Sequence, residues 1–411
     1  EGVMQDLGNA GAMKDAIPET TVSVNSDGEV QATVPKPGEN GKTVTVNMSD
    51  VTDVSAFVQG YNNAVSTTGA IPGSSASYSV AGGWQASVPT PGSTTTPPQT
   101  TTVSLNNMSN TDVTNFIKDY KTSVTVTGGI PGSSASYNTN SNSWTLTIPT
   151  AGTNPPQTTI NAANIQDAGK FVKDYNKTTA AQSEIGGTVN INANDGSLSI
   201  TAPSGTVISA DNITVDNNGK ASITVTPDAS KPDTTWTIKA SEFNMYESMK
   251  KQYETSLKSQ GWSFNYSGTN GFSYSKGKVT VGQSGLSVDG VKQSTFTDAI
   301  TAEQLASIAQ SMNSAATSGD KDELKAAVET VEAKCFAQGT LVNCRDKNGN
   351  MVAANNVYKT FTYNGASIVY NVETHALYNS SGQIGTMVYD PQADKYEISF
   401  NSAMYYSSGQ Y

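Results

Sequence analysis

The groups in this chain that could do chemistry are few: one histidine (His375), two cysteines (Cys335 and Cys344) and 35 carboxylates. A Ser-His-Asp relay would have to use His375, in a strand-rich stretch with no Gly-x-Ser-x-Gly elbow to present a nucleophile. A Cys-His pair would draw on the same histidine. Paired carboxylates could carry acid–base chemistry on a sugar. The acidic residues fall instead at helix starts (Asp50, Asp53, Asp112, Asp167, Glu303, Asp320) or in turns (Asp27, Asp195, Asp216), where they complement helix dipoles or form the turn. Asp346-Lys-Asn-Gly-Asn350 resembles the start of a calcium loop. Its glycine is two positions early and no Glu stands at the twelfth position, so a hairpin turn is the better reading. A structural zinc site takes four Cys or His ligands, and the chain has three such residues. The sequence therefore assigns no catalytic residue, metal or cofactor, and a non-enzyme is expected. Cys335 and Cys344, nearby in sequence, are expected to close a small disulfide loop in an oxidising compartment, a modest stabilisation of about 2–3 kcal/mol.

The strongest pattern is a repeat. Ile71-Pro-Gly-Ser-Ser-Ala-Ser-Tyr78 returns as Ile130-Pro-Gly-Ser-Ser-Ala-Ser-Tyr137, and Ile17-Pro18 opens a looser copy. Each leads to a strand ending in proline (Pro35, Pro89, Pro149) and closes on Phe-x-x-x-Tyr: Phe57/Tyr61, Phe116/Tyr120 and Phe171/Tyr175. Residues four apart share a helix face, so each pair marks a helix with an apolar stripe. Trp84 and Trp144 sit in the second strand of their copies. These aromatics are expected to be repeat core, with sugar stacking on Trp84 or Trp144 as the functional alternative. A period of roughly 55 residues, without a chemically reactive residue held in place, marks an array whose units share a core with their neighbours.

The expected fold is α+β, mainly β: tandem β-β-β-α repeats, each antiparallel sheet covered by one helix, followed by a β-rich C-terminal domain. Residues 1–16 read as a short helix through Val3, Leu7 and Ala10. The copies cover 17–70, 71–129 and 130–187, with helix expected from about Asp50 to Ala64 in the first. A divergent fourth spans 188–262, with an extra hairpin turning at Asp216-Asn-Asn-Gly219 and a helix at about 241–259. Residues 263–411 are a β-rich region with two helices at about 301–333.

Composition narrows the function classes. Hydrophobic residues make up 36% and charged residues 14% of the 411, the balance going to Thr, Ser, Asn and Gly. That mixture suits turn-rich, β-rich extracellular proteins. Net charge is −11 and Arg345 is the only arginine. Nucleic-acid binding rests on clustered Lys and Arg, so no nucleic-acid partner is expected, and no window is apolar enough to span a membrane. The chain begins at Glu1, which leads to the expectation of a removed leader or an anchor outside it. The expected function is a structural subunit of an extracellular prokaryotic surface filament or pilus, a cell-surface appendage whose partners are copies of itself, with 1–16 and 396–411 as contact segments. The alternatives are an adhesin stalk or phage fibre gripping a surface glycan or host protein through 263–411, and a secreted enzyme with repeat spacers.

Overall fold

Short apolar–polar alternations become strands in this chain wherever Gly, Pro or Asn-Asp turns punctuate them. The structure is a computed structural model, described over residues 2–401. Helix and strand occur in equal shares, so the expectation of a mainly β chain is corrected. One reason is visible in the first long helix, which runs to Ala70 instead of ending near Ala64. Its β-branched tail argues against helix on propensity, but Thr67 is fully buried and its hydroxyl donates to the Asn63 carbonyl at 2.8 Å.

The chain divides into two compact units, 1–222 and 223–411. In the first, α1 (Gly2–Ala16) buries Ala10 and Met13, and leaves Val3, Met4 and Leu7 exposed. Of the expected stripe, only Ala10 faces the core. Then follow β1 (Thr21–Val24), β2 (Val30–Pro35), β3 (Thr43–Asn47) and α2 (Val54–Ala70); β4 (Ser75–Ser79), β5 (Gly83–Pro89), β6 (Thr100–Ser104) and α3 (Asn110–Gly129); β7 (Ser134–Asn138), β8 (Ser143–Pro149), β9 (Gln157–Asn161) and α4 (Ala168–Ile185); and β10 (Thr188–Ile191), β11 (Leu198–Thr201), β12 (Val207–Ser209) and β13 (Ile213–Val215). Strands β1-β2-β3, β4-β5-β6, β7-β8-β9 and β10-β11-β12 form four small antiparallel sheets in sequence order. The middle strands alternate strictly: Val30, Ala32 and Val34 are buried in β2, Trp84, Ala86 and Val88 in β5, and Trp144, Leu146 and Ile148 in β8. Proline is the last residue of each of these three strands, where a missing N–H costs the ladder least.

The helices α2, α3 and α4 each start on a side-chain cap. Asp53 accepts from Ala56 N, Ser109 and Asp112 form a capping box, and Asp167 accepts from Lys170 N. The repeated Ile-Pro-Gly-Ser is the helix-to-strand corner. Ile71 and Ile130 are buried, Gly73 and Gly132 have φ of 78° and 80°, and the Ser74 and Ser133 hydroxyls close onto the isoleucine carbonyls at 2.5 and 2.6 Å. A left-handed φ favours glycine because it lacks Cβ. The corner is short enough to fold β4 back along α2.

The division between units falls within β14 (Ala221–Val225). The second unit continues through β15 (Trp236–Lys239) and α5 (Phe243–Gln252), which passes into a π-helical turn at Tyr253–Leu257 and ends at the left-handed Gly261. Strands β16 (Ser263–Ser267), β17 (Gly271–Lys276), β18 (Val279–Gly282), β19 (Gly285–Val288) and β20 (Val291–Phe296) precede α6 (Ala302–Ser311), the short α7 (Asn313–Ala316) and α8 (Lys321–Ala337). β21 (Leu341–Arg345) and β22 (Met351–Ala353) complete a seven-stranded antiparallel sheet of order β16 to β22. A five-stranded sheet follows: β23 (Tyr358–Tyr363), β24 (Ala366–Asn371), β25 (Ala376–Asn379), β26 (Gly382–Asp390) and β27 (Lys395–Phe400). Ile368, Leu377 and Ile384 are buried in its own cluster.

Gly73→Ala should destabilise the first unit by about 1–2 kcal/mol, the cost of a Cβ in left-handed backbone, and that Cβ would also meet Pro89 Cγ at 3.3 Å. Urea unfolding of the intact chain checks this.

Candidate functional site

The repeat aromatics meet in the order helix, then following sheet. Phe57 and Tyr61 of α2 lie 5.5 and 5.4 Å, centroid to centroid, from the Trp84 indole of β5, both edge-to-face, and Phe57 lies 4.9 Å from Tyr78 of β4. Phe116 and Tyr120 of α3 stand 6.0 and 5.5 Å from Trp144 of β8. Gly60 admits the close approach, since a Cβ there would lie 3.1 Å from Trp84 Cδ1. Phe171 and Tyr175 of α4 are buried in the same cluster, where Leu198 of β11 stands in place of an indole. The tyrosines also reach backwards: Tyr120 donates its hydroxyl to Pro89 O at 2.8 Å, and Tyr175 to Pro149 O at 2.6 Å. In α3 and α4 the tyrosine of the Phe-x-x-x-Tyr pair and a strand-ending proline are thus halves of one contact. Trp84 and Trp144 are completely buried, which overturns sugar stacking on either.

The reactive residues do not converge. Cys335, on α8, and Cys344, on β21, are separate buried free thiols, so the expected disulfide is not formed. The helix and strand hold each cysteine in its own core position, and burial pushes the thiols up to about 11 and about 12. His375 is an exposed turn residue with φ of 64° and its Nδ1 2.9 Å from the Tyr370 hydroxyl. Asp346 Oδ1 accepts from the amides of Asn348 and Asn350 at 2.8 and 2.9 Å, as a hairpin turn requires.

Two carboxylates that sequence reasoning passed over do come together. Glu329 and Glu332, three apart on α8, face the five-stranded sheet. Glu329 accepts from Asn371 Nδ2 at 2.5 Å and from the hydroxyls of Thr374 and Tyr378 at 2.6 Å. Glu332 accepts from the Tyr358 hydroxyl at 2.7 Å. Burial, with the neighbouring Glu329 charge, pushes Glu332 up to about 8 despite the Tyr358 bond. Ser294 Oγ is buried beside it without a hydrogen bond of ordinary geometry. A pocket of about 180 Å³ between α6 and α8 touches Cys335 but neither of these carboxylates. The pair ties α8 to the five-stranded sheet. The (i, i+3) spacing of Glu on a helix was the available signal.

The open concavity with ligand-like chemistry lies elsewhere in the second unit. A pocket of about 400 Å³ is walled by Trp236, Tyr253, Phe264 and Tyr266, with Asp228, Lys231, Glu254, Lys258 and Asn265 at its rim. Trp236 stands 5.2 Å from Phe264 and 5.9 Å from Tyr266, and is half-buried. The loop carrying Asp228 is held by turn bonds, Lys231 N to Asp228 O and Thr234 N to Lys231 O, both 3.0 Å. The Ser230 hydroxyl and amide hold the Asp228 carboxyl below its usual range. Tyr253 and Glu254 come from the π-helical turn, a distortion frequent at functional sites. The alternation Phe264-x-Tyr266 and Phe272-x-Tyr274 hinted at this cluster, but Trp236 and Tyr253 reach it only through the tertiary fold.

Comparison with protein-family models, with curated proteins and with solved structures finds no match for this chain.

Trp84→Ala should cost about 3–5 kcal/mol, the range for emptying a buried tryptophan site, read by denaturant unfolding. For Glu332, the folded state keeps the proton to about pH 8, whereas an unfolded chain releases it near the ordinary value of 4.5. This contribution to stability is complete below pH 4.5 and is lost as pH rises toward 8. Glu332→Gln keeps an acceptor for Tyr358 and should flatten that part of the melting-temperature profile between pH 5 and 8.5.

Proposed function

We propose that the chain is a structural subunit of an extracellular prokaryotic surface filament or pilus, one that self-assembles through repeat faces and terminal segments and does no catalysis. The observation that supports this most is the core of the first unit: one buried cluster runs from Ala10 and Met13 of α1, through Trp84 and Trp144, to Leu198 and Ala210. A continuous core through successive small sheets is what an array of mutually dependent modules produces. We read that array as tandem modules in which a helix packs its Phe-Tyr face on the sheet after it and anchors its tyrosine to the sheet before it. The phase is then α-β-β-β, with α1 leading the first sheet. Such an array transmits force and sets distance without a reactive centre.

The neutral Ser-, Thr- and Asn-rich composition and the scarcity of lysine and arginine support a surface appendage. Self-association would use the exposed Val3, Met4 and Leu7 of α1 and the outer strands of the three-stranded sheets, whose open edges accept an added strand. The other proposed contact segment, 396–411, includes β27 (Lys395–Phe400) from Tyr396 onward; its residues 402–411 lie outside the described residues.

Electron microscopy of the purified intact chain, and of variants lacking 2–16 or 402–411, tests the proposal. Regular filaments from the intact chain that fail in at least one truncation are expected. Monodisperse single chains at all concentrations, or filaments indifferent to both truncations, would overturn it.

A further inference from the structure

The aromatic pocket does not end at its rim. A second depression of about 350 Å³ shares Asn265 and Tyr266 with it and runs over the outward face of β16 to β20. The strand register builds this floor. Asn265, Ser273, Gly282 and Gly285 stand opposite one another across β16 to β19, and Ser275, Thr280, Ser287 and Lys292 form the neighbouring row across β17 to β20. The opposite face of β17 is core, with Phe272 and Tyr274 fully buried. Here the outward face of a sheet carries hydroxyls, amides and glycines on adjacent strands, with Lys292 as the charged member of these rows.

By register Phe264 and Tyr266 stand opposite Tyr274 and Phe272, on the face turned away from this floor, so the two depressions meet around the edge strand β16. We infer that together they bind a neutral glycan chain that turns over β16, from Trp236 to Thr280 and Ser287. Three features favour a sugar over other ligands. The aromatic end offers half-buried rings on which the apolar face of a pyranose can stack, while Asn265, Asp228 and the lysines meet its hydroxyls. At the aromatic end the rim charges cancel, Asp228 and Glu254 against Lys231 and Lys258, and on the floor the Lys292 ammonium donates to Ser284 O and Oγ at 2.8 and 3.1 Å, so the site favours neither an anion nor a cation. The floor repeats small polar side chains at the inter-strand spacing of about 4.8 Å, a ladder of hydrogen-bonding groups suited to successive sugar units. Gly282 and Gly285 keep the floor low. Neither accepts a side chain without displacing backbone: a Cβ at Gly282 would lie 2.6 Å from Phe272 O, and one at Gly285 would lie 2.0 Å from Ser294 O. This site goes beyond the filament reading and does not depend on polymerisation.

The tryptophans supply the test. Trp84, Trp144 and Trp262 are at most 3% exposed, so Trp236 is the indole that a ligand in solution reaches. The dispersed intact chain is titrated with cellohexaose, mannohexaose and chitohexaose, following tryptophan emission and, in parallel, heat by calorimetry. At least one glycan should give a saturable emission change with Kd below about 1 mM, equivalent to roughly −4 kcal/mol. The emission change should vanish in Trp236→Phe. Thr280→Lys places a bulky charge on an exposed position of the floor; it should keep the wild-type melting temperature and weaken calorimetric binding at least tenfold. Absence of binding by all three glycans, or equal binding by Thr280→Lys and the wild type, would overturn the inference whether or not filaments form.

Discussion

The first unit depends on an indole held edge-to-face by a phenylalanine and a tyrosine one helical turn apart. A sheet with one apolar face must bury it against another element, and Trp84 and Trp144 of two such middle strands are completely buried. They can be buried because α2 and α3 present Phe-x-x-x-Tyr to them, and because Gly60 lets α2 approach Trp84 closely. The tyrosine of α3 then spends its hydroxyl on the carbonyl of the proline that ended an earlier strand. One side chain thereby links the sheet before its helix to the sheet after it, so the helix is shared and the core does not break between sheets.

The second unit is organised by a different constraint, the burial of polar groups with their partners. Glu329 satisfies three donors from β24, β25 and the turn between them, while Glu332 meets Tyr358 of β23. A buried carboxylate is tolerated when it is protonated or hydrogen-bonded: Glu332 is buried and held toward its neutral form, while the half-buried Glu329 has three donors around it. Cys335 and Cys344 share this interior as small apolar residues. By contrast, the groove over β16 to β20 is polar and open. Its small-residue floor adjoins the aromatic pocket around the edge strand β16. The interior thus serves cohesion and the outward sheet face is available for recognition.

Much of this was legible in the chain. The middle strands, their terminal prolines, the caps at Asp53, Ser109 and Asp167, and the capping box at Thr301 with Gln304 all follow from local rules about alternation, missing amide hydrogens and unsatisfied helix ends. The corner Ile-Pro-Gly-Ser could be recognised as a repeated opening, though not as a turn closed by its serine hydroxyl. The disulfide was misread because proximity in sequence says nothing about the directions in which a helix end and the following strand point their thiols. Tyr253 falls within the helix expected at about 241–259 and Trp236 outside it; their common pocket is a product of the fold.

By itself, then, the sequence determined the periodicity of the first unit and the residue types of its core, because these are properties of spacing along one chain. Tertiary structure decided which sheet each helix serves, which carboxylates meet, and which tryptophan of four is reachable from solvent. Those outcomes depend on chain reversals and on burial. A side chain's environment is set by residues tens of positions away, and no local pattern encodes that.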